Sequence, residues 1–93
     1  MAGHSRGIRH ELFKFLLEHP DEEFESYQLE HRIKAAKTTI NGYLRDMELD
    51  SLVRRRMDGY YCYWRVNRMA FFKNKMLYKK WTPDLFAIAI QKE

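Results

Sequence analysis

Cysteine, glycine and proline are scarce in this chain of 93 residues, and long apolar runs are absent. The one cysteine, Cys62, excludes an internal disulfide bond and is typical of a reducing compartment, so we expect a cytoplasmic location. No apolar run approaches the roughly 18 residues that a membrane span needs. The N-terminal stretch also lacks the uninterrupted apolar segment of a signal peptide. We therefore expect no membrane partner.

Residue types that hold metals or carry out catalysis are present, but not in patterns that build a site. The histidines do not stand at metal-ligand spacings, and Cys62 has no cysteine nearby. The histidines are His4, His10, His19 and His31. The chain has no glycine-rich phosphate loop, no Ser/His/Asp arrangement and no paired-carboxylate motif. The sequence therefore predicts no metal, no cofactor and no enzymatic activity.

Positive charge is concentrated in the later part of the chain. Residues 1–33 carry 4 basic and 7 acidic side chains, residues 34–66 carry 7 and 4, and residues 67–93 carry 6 and 2. This asymmetry indicates an anionic partner for one face, although a merely solubilising surface charge is the alternative. The composition, 45% hydrophobic and 32% charged, is that of one globular domain.

The first third of the chain predicts a helix, an acidic loop and a second, short helix. Apolar residues at helical spacing favour a helix over Ile8–His19. Pro20 ends it, because proline disfavours the helical conformation in the residue before it. The acidic loop that follows is either solvated or a contact for a protein partner, and Phe24 fits a very short strand there. Ser26 is predicted to cap the second helix, Tyr27–Arg32.

A third helix is predicted from Lys37 to about Asp50, after a turn at Lys34–Ala36. Ile40, Leu44 and Met47 recur at helical spacing and fall on one stripe of a helical wheel, which indicates the buried side. The roughly opposite side carries Thr38, Asn41, Gly42 and Arg45. A core stripe on one side and a short, polar, cationic stripe on the other suit a helix that lies in a nucleic-acid groove.

A β-hairpin is predicted after the third helix, with strands Leu52–Arg56 and Tyr60–Val66. Asp58-Gly59 is a strong signal for a two-residue type I′ turn, which would place Met57 opposite Tyr60. One side of this hairpin then carries Val53, Arg55, Met57, Tyr60, Cys62 and Trp64, and the other carries Arg54, Arg56, Tyr61, Tyr63 and Arg65. The hairpin is therefore expected to be strongly cationic and aromatic.

The aromatic residues of the hairpin have two interpretations. They can pack in the core and across strands, or they can stack on the bases of a single strand. Trp64 and Val66 are the residues we expect in the core. The three consecutive arginines, Arg54–Arg56, likewise fit either a solvated edge strand or a contact with nucleic acid.

The last part of the chain predicts a helical extension. A helix is expected over Arg68–Lys80, and Thr82-Pro83-Asp84 is typical of a helix start. The apolar run Leu85–Ile90 then continues as a helix or, alternatively, a strand. Part of this apolar surface must pack on the first helix, and the remainder is predicted to form a two-fold homodimer interface.

The order helix, short strand, helix, turn, helix and hairpin resembles the winged helix-turn-helix family. The local sequence is similar too. Ala36–Ile40 matches the start of the family's recognition helix, and Tyr43–Met47 matches the segment that continues this helix. Ser51–Val53 matches the residues that lead into the family's wing, and Asp58-Gly59 matches the tip of the wing. Two positions depart from the family, since Lys34 and Ser51 stand where glycine is common. The resemblance covers residues 8–66. It implies an α+β fold, mainly α with a small β-hairpin, preceded by a flexible lead at residues 1–7 and followed by the helical extension at residues 67–93.

The resemblance implies binding to double-stranded DNA. Thr38, Asn41, Gly42 and Arg45 would face the major groove, with Arg45 on a guanine edge and Asn41 on an adenine edge. Phosphate contacts would come from Lys34, Lys37 and the N–H groups of the helix start that includes Thr39. The wing residues Arg54, Arg55 and Arg56 would contact the backbone or an adjacent minor groove. Gly42 would permit a close approach of the helix to DNA. Alternatively, it is a helix-destabilising residue that the fold tolerates.

Three functions are compatible with these features. The first is a dimeric, sequence-specific transcriptional regulator. The second is a winged-helix module for protein–protein interaction, such as an inhibitor encoded by a phage or another mobile element, because fold alone does not decide function. The third is binding of RNA or single-stranded nucleic acid through the aromatic wing.

Overall fold

The computed structural model describes residues 7–73 and 83–91. Its elements, in chain order, are α1 (Gly7–Glu18), β1 (Phe24–Glu25), α2 (Ser26–Ile33), α3 (Lys37–Leu49), β2 (Val53–Asp58), β3 (Tyr61–Val66), α4 (Arg68–Lys73) and α5 (Pro83–Gln91). The strands form an antiparallel sheet in the order β1-β3-β2. This is the predicted α+β winged helix-turn-helix fold, and we call the β2–β3 hairpin the wing.

The core lies between α1, α3 and the base of the wing. From α3 it takes the predicted stripe of Ile40, Leu44 and Met47, all fully buried. Trp64 and Val66 are buried as expected, at 2% and 5% exposure. The residues that α1 contributes are Leu12, Phe13, Leu16 and Leu17. The helical period of the sequence therefore identified the buried side of α3 correctly.

The helical extension packs on α1. Phe71 of α4 is fully buried and meets Phe13 edge to face, with ring centroids 5.1 Å apart. Leu85 and Ala89 of α5 belong to the same core, so the apolar run at the end of the chain forms a helix and not a strand. The predicted helix over residues 68–80 is seen through Lys73, and residues 74–82 lie outside the described part. No helix among the described residues is long and apolar enough to cross a membrane.

The start of α2 differs from the prediction, since its cap is Glu25 and not Ser26. The backbone N–H of Glu25 donates to Oε1 of Gln28 at 2.8 Å, and the Glu25 carboxylate accepts from the backbone N–H of Gln28. This reciprocal capping box satisfies two backbone donors with longer side chains than the usual serine or threonine pattern uses. Ser26 becomes the first helical residue, and its hydroxyl is free for another bond.

The turn of the wing is displaced by one residue from the predicted position. Asp58 pairs with Tyr61 and Met57 pairs with Cys62, so the two loop residues are Gly59 and Tyr60. Gly59 has φ +63°, whereas Tyr60 does not have positive φ. Positive φ at the first central position alone is typical of a type II′ turn, not of the predicted type I′ turn. The register moves by two residues, so each side chain keeps its predicted side of the hairpin.

The two departures from the family pattern both adopt the left-handed conformation that glycine favours. Lys34 ends α2 with φ 60° and ψ 50°, and Ser51 follows α3 with φ 63°. The backbone still closes both helix ends, through a bond from Lys34 N–H to the Glu30 carbonyl at 2.7 Å and a bond after α3 from Leu52 N–H to the Met47 carbonyl at 2.8 Å. The turns thus keep their geometry at the cost of strain in side-chain-bearing residues.

We expect Ser51→Gly to stabilise the protein. A left-handed residue with a Cβ costs roughly 1–2 kcal/mol, and the substitution removes this strain. Glycine also has greater conformational freedom in the unfolded chain, and this offsets about 0.5–1 kcal/mol of the stabilisation. The net increase in the free energy of unfolding is therefore about 0.5–1 kcal/mol. Urea unfolding measures it, with Ser26→Gly at the helical start of α2 as the destabilising counterpart. A lower unfolding midpoint for Ser51→Gly would contradict the strain argument.

Candidate nucleic-acid interface

The outward side of α3 presents the predicted polar residues to solvent. Thr38, Gly42 and Arg45 are exposed, and Asn41 is half-buried. A Cβ added at Gly42 would meet nothing within 4 Å, so the protein itself does not require glycine there. The N-cap residue of this helix, Ala36, provides no side-chain cap. Lys37, Thr38 and Thr39 occupy the first turn, where helix N–H groups lack intrahelical acceptors.

A cleft of about 460 Å³ separates α3 from the inner side of the wing. From α3 it is lined by Lys37, Asn41 and Arg45, and from the wing by Arg55 and Met57. The fold thus brings together four of the predicted contact residues. Lys34, at the left-handed end of α2, is exposed but does not line this cleft.

Ser26 holds the side chain of Asn41, a role that sequence analysis missed. The Ser26 hydroxyl donates to Oδ1 of Asn41 at 2.6 Å in a partly buried position. The amide keeps its N–H donors and one further oxygen lone pair, which are the groups that pair with an adenine edge. The signal in the sequence was Ser26 itself, which was assigned to the helix cap instead.

The three wing arginines lie on two faces of the hairpin, as the predicted alternation of its strands indicated. Successive side chains of a strand point to opposite faces, so Arg55 faces α3 while Arg54 and Arg56 lie on the other side. Arg55 pairs with Glu48 of α3, with 3.3 Å between Nε and Oε2, and its guanidinium lies 5.7 Å from the centroid of the Trp64 ring. Arg55 therefore braces the wing against α3 at the edge of the cleft.

Arg56 is held by the acidic loop. Its Nε and a terminal nitrogen donate to both carboxylate oxygens of Glu23 over 2.9–3.1 Å, and the guanidinium stacks 4.6 Å from the Tyr63 ring. The hydrogen bond from Arg56 keeps the pKa of the Glu23 carboxyl below its usual value. Glu23 is consequently ionised at neutral pH, and a DNA phosphate would have to displace it from Arg56.

The aromatic residues of the wing divide between the two interpretations. Trp64 is buried, as packing predicts, although its Nε1–H has no acceptor within the described part of the chain. Tyr60 is fully exposed at the tip of the wing, and Tyr61 is 59% exposed. Cys62 is half-buried, and burial raises the pKa of its thiol, which disfavours the reactive thiolate.

Comparison with known proteins supports the fold. The chain is similar in structure to a protein described as a possible transcriptional regulator for arsenical resistance, with a TM-score of 0.59 and 20% sequence identity over 89% of this chain and 94% of that chain. At this identity the likeness concerns the fold and not the function. The chain matches no protein-family model and no curated protein.

Proposed function

We propose that this chain is a sequence-specific, double-stranded DNA-binding transcriptional regulator of the cytoplasm. The observation that carries the proposal is the cleft between α3 and the wing, where Lys37, Asn41, Arg45 and Arg55 converge. One side of α3 is buried and the other is polar and cationic, which suits insertion into the major groove. The structural neighbour described as a possible transcriptional regulator has the same fold.

The contacts divide by chemistry. Arg45 and Asn41 carry the hydrogen-bond donors and acceptors that read guanine and adenine edges. Lys34, Lys37 and the N–H groups at the start of α3, near Thr38 and Thr39, suit phosphates, which position the protein without reading sequence. Gly42 leaves the surface of α3 open to the floor of the groove. The wing adds Arg55 beside the cleft, with Tyr60 at its tip.

A homodimer is the second part of this proposal. Among the described residues of the extension, Ile90 is a large apolar side chain at 59% exposure. Burying it against a second copy would remove apolar surface from water. Two copies related by a two-fold axis would place their α3 helices on half-sites about one helical turn apart.

Fluorescence-anisotropy titration tests the function. The purified protein is titrated on duplex DNA from its own promoter region and on a random duplex pool, each at low and physiological salt. The expected result is tighter binding to the promoter that persists at physiological salt and falls steeply as salt rises. Weak binding to both that vanishes at physiological salt would contradict the proposal. Preference for a single-stranded competitor would instead favour the aromatic wing as the binding element.

A protein–protein interaction module is the second candidate. Leu49 at the end of α3 is 85% exposed, and Tyr60 is fully exposed, so both apolar surfaces are available to a protein partner. The acidic loop adds the exposed carboxylates of Asp21 and Glu22 to the surface. Isolation of a stable complex with a protein partner, together with no salt-sensitive DNA binding, would favour this candidate.

A further inference from the structure

The outer side of the wing contains a second cleft, which the proposed function does not use. Its volume is about 340 Å³, and it opens at the base of the wing, beside the start of α4. Three arginines line it, namely Arg54 of β2, Arg65 of β3 and Arg68 of α4. Because strand side chains alternate between faces, Arg54 and Arg65 lie on the face of the sheet away from Arg55 and α3.

Three guanidinium groups and one carboxylate line this outer cleft. Arg54 and Arg65 stand directly opposite each other in the ladder, a like-charge arrangement that disfavours folding. Asp21 supplies the carboxylate among the lining residues, and 3.6 Å separates its Oδ1 from a terminal nitrogen of Arg65. The Asp21 side chain is 85% exposed, so water weakens this pair and an anion can replace it.

Two of the three guanidinium groups are held in place by backbone carbonyls. Arg65 donates through Nε to the Pro20 carbonyl at 3.4 Å, and Arg68 donates through a terminal nitrogen to the Ala89 carbonyl at 3.3 Å. Each guanidinium has five N–H donors, so both retain donors for a ligand. Arg54 has no ion pair in the described part of the chain, so its guanidinium provides a third set of N–H donors for a ligand.

One wall of the outer cleft is apolar. Met69 and Phe72 of α4 line it beside the arginines, and Met69 is 61% exposed. A bare anion would use the guanidinium groups alone, whereas a ligand that also carries an apolar ring would cover this wall. Small-molecule sites typically combine a few placed polar groups with apolar surface in this way.

We propose that the outer cleft binds a small ligand that carries a phosphoryl dianion attached to an apolar or aromatic group. Arginine forks match the oxygens of a phosphoryl group, and the dianion would relieve the repulsion between Arg54 and Arg65. The ligand is a free small molecule and not DNA, because the cleft lies on the sheet face opposite to the one that meets α3. The site would give the protein an effector-binding function separate from its nucleic-acid surface.

Isothermal titration calorimetry with phenyl phosphate and inorganic phosphate, at constant ionic strength, tests the proposal. Phenyl phosphate is expected to bind more tightly than inorganic phosphate, because its ring covers Met69 and Phe72. Arg54→Ala should weaken phenyl phosphate binding at least about tenfold, and Asp21→Asn should strengthen it several-fold by removing the competing carboxylate. Arg45→Ala, which removes the same charge on α3, is the matched control and should leave binding within about twofold.

Several outcomes would overturn this assignment. Absence of phenyl phosphate binding at millimolar concentration would do so, and so would equal weakening by Arg54→Ala and Arg45→Ala, which would mean that only net charge is sensed. Circular dichroism checks that each variant is folded. In a competition arm, saturating duplex DNA should leave phenyl phosphate binding unchanged. Displacement of phenyl phosphate by DNA would assign these arginines to DNA phosphates and contradict a separate ligand site.

Discussion

Phe71→Ala is expected to lower the free energy of unfolding by about 3–5 kcal/mol, the usual cost of deleting a buried phenylalanine ring. The ring is fully buried and meets Phe13 of α1 edge to face, so its removal leaves a cavity in the core that α1 provides. A domain of this size has a total stability of only about 5–15 kcal/mol. Urea unfolding followed by circular dichroism is therefore expected to show a much lower midpoint, or a partly unfolded protein in the absence of urea.

Met69→Ala on the same helix is the matched control. Met69 is 61% exposed, and a substitution at such a position usually changes stability by less than about 0.5 kcal/mol. If Phe71→Ala were as mild as Met69→Ala, residues 8–66 would fold as an independent unit and α4 would be an accessory. A large difference would instead mean that the extension completes the core of the winged domain.

The part of the fold that could be predicted from the sequence is the part determined by the spacing of apolar residues within one helix. Ile40, Leu44 and Met47 lie on one side of α3 because a helix repeats every 3.6 residues. This prediction requires no knowledge of contacts with residues far away in the sequence. The hairpin is different, because Asp58-Gly59 and Gly59-Tyr60 can both serve as its two loop residues. The structure selects the second, with Phe24 of β1 opposite Trp64 on the other edge of β3. That pairing is long-range, so turn chemistry alone could not settle the register.

The candidate site was predictable to the same extent. The outward side of α3 follows from the same helical period, and its exposed Thr38, Gly42 and Arg45 agree with it. The environment of the wing arginines does not follow from local sequence. Arg56 is bound by Glu23, 33 residues earlier in the chain, and local sequence gave no sign of that pair. Strand alternation separated Arg55 from Arg54 and Arg56, but the partner of each guanidinium could not be predicted from it.

The same limit explains why Ser26 was assigned to a helix cap. Its hydroxyl bonds Asn41, 15 residues away on another helix, whereas capping rules consider only the next few residues. A serine at the start of α2 and an asparagine on the exposed side of α3 are each unremarkable alone. Their contact exists because α2 and α3 pack across the tight turn at Lys34.

Arg45→Ala is expected to weaken binding to promoter DNA by roughly tenfold to a hundredfold, which corresponds to about 1–3 kcal/mol for a bidentate contact with a guanine edge. Arg45 is exposed on α3 and lines the inner cleft, and no carboxylate in the described part of the chain pairs with it. Its guanidinium is therefore not committed to the protein. Anisotropy titration on the promoter and random duplexes, at matched salt, measures the change.

The comparison between the two duplexes decides how Arg45 acts. Removing a residue that reads bases weakens binding to the promoter more than binding to random DNA. Removing a phosphate contact weakens binding to both duplexes equally and lowers the salt dependence. Arg65→Ala, which removes the same charge on the outer side of the wing, should weaken binding to both duplexes slightly and equally. If Arg45→Ala behaved like Arg65→Ala, α3 would be only an electrostatic surface. Specificity would then have to come from DNA shape or from another element.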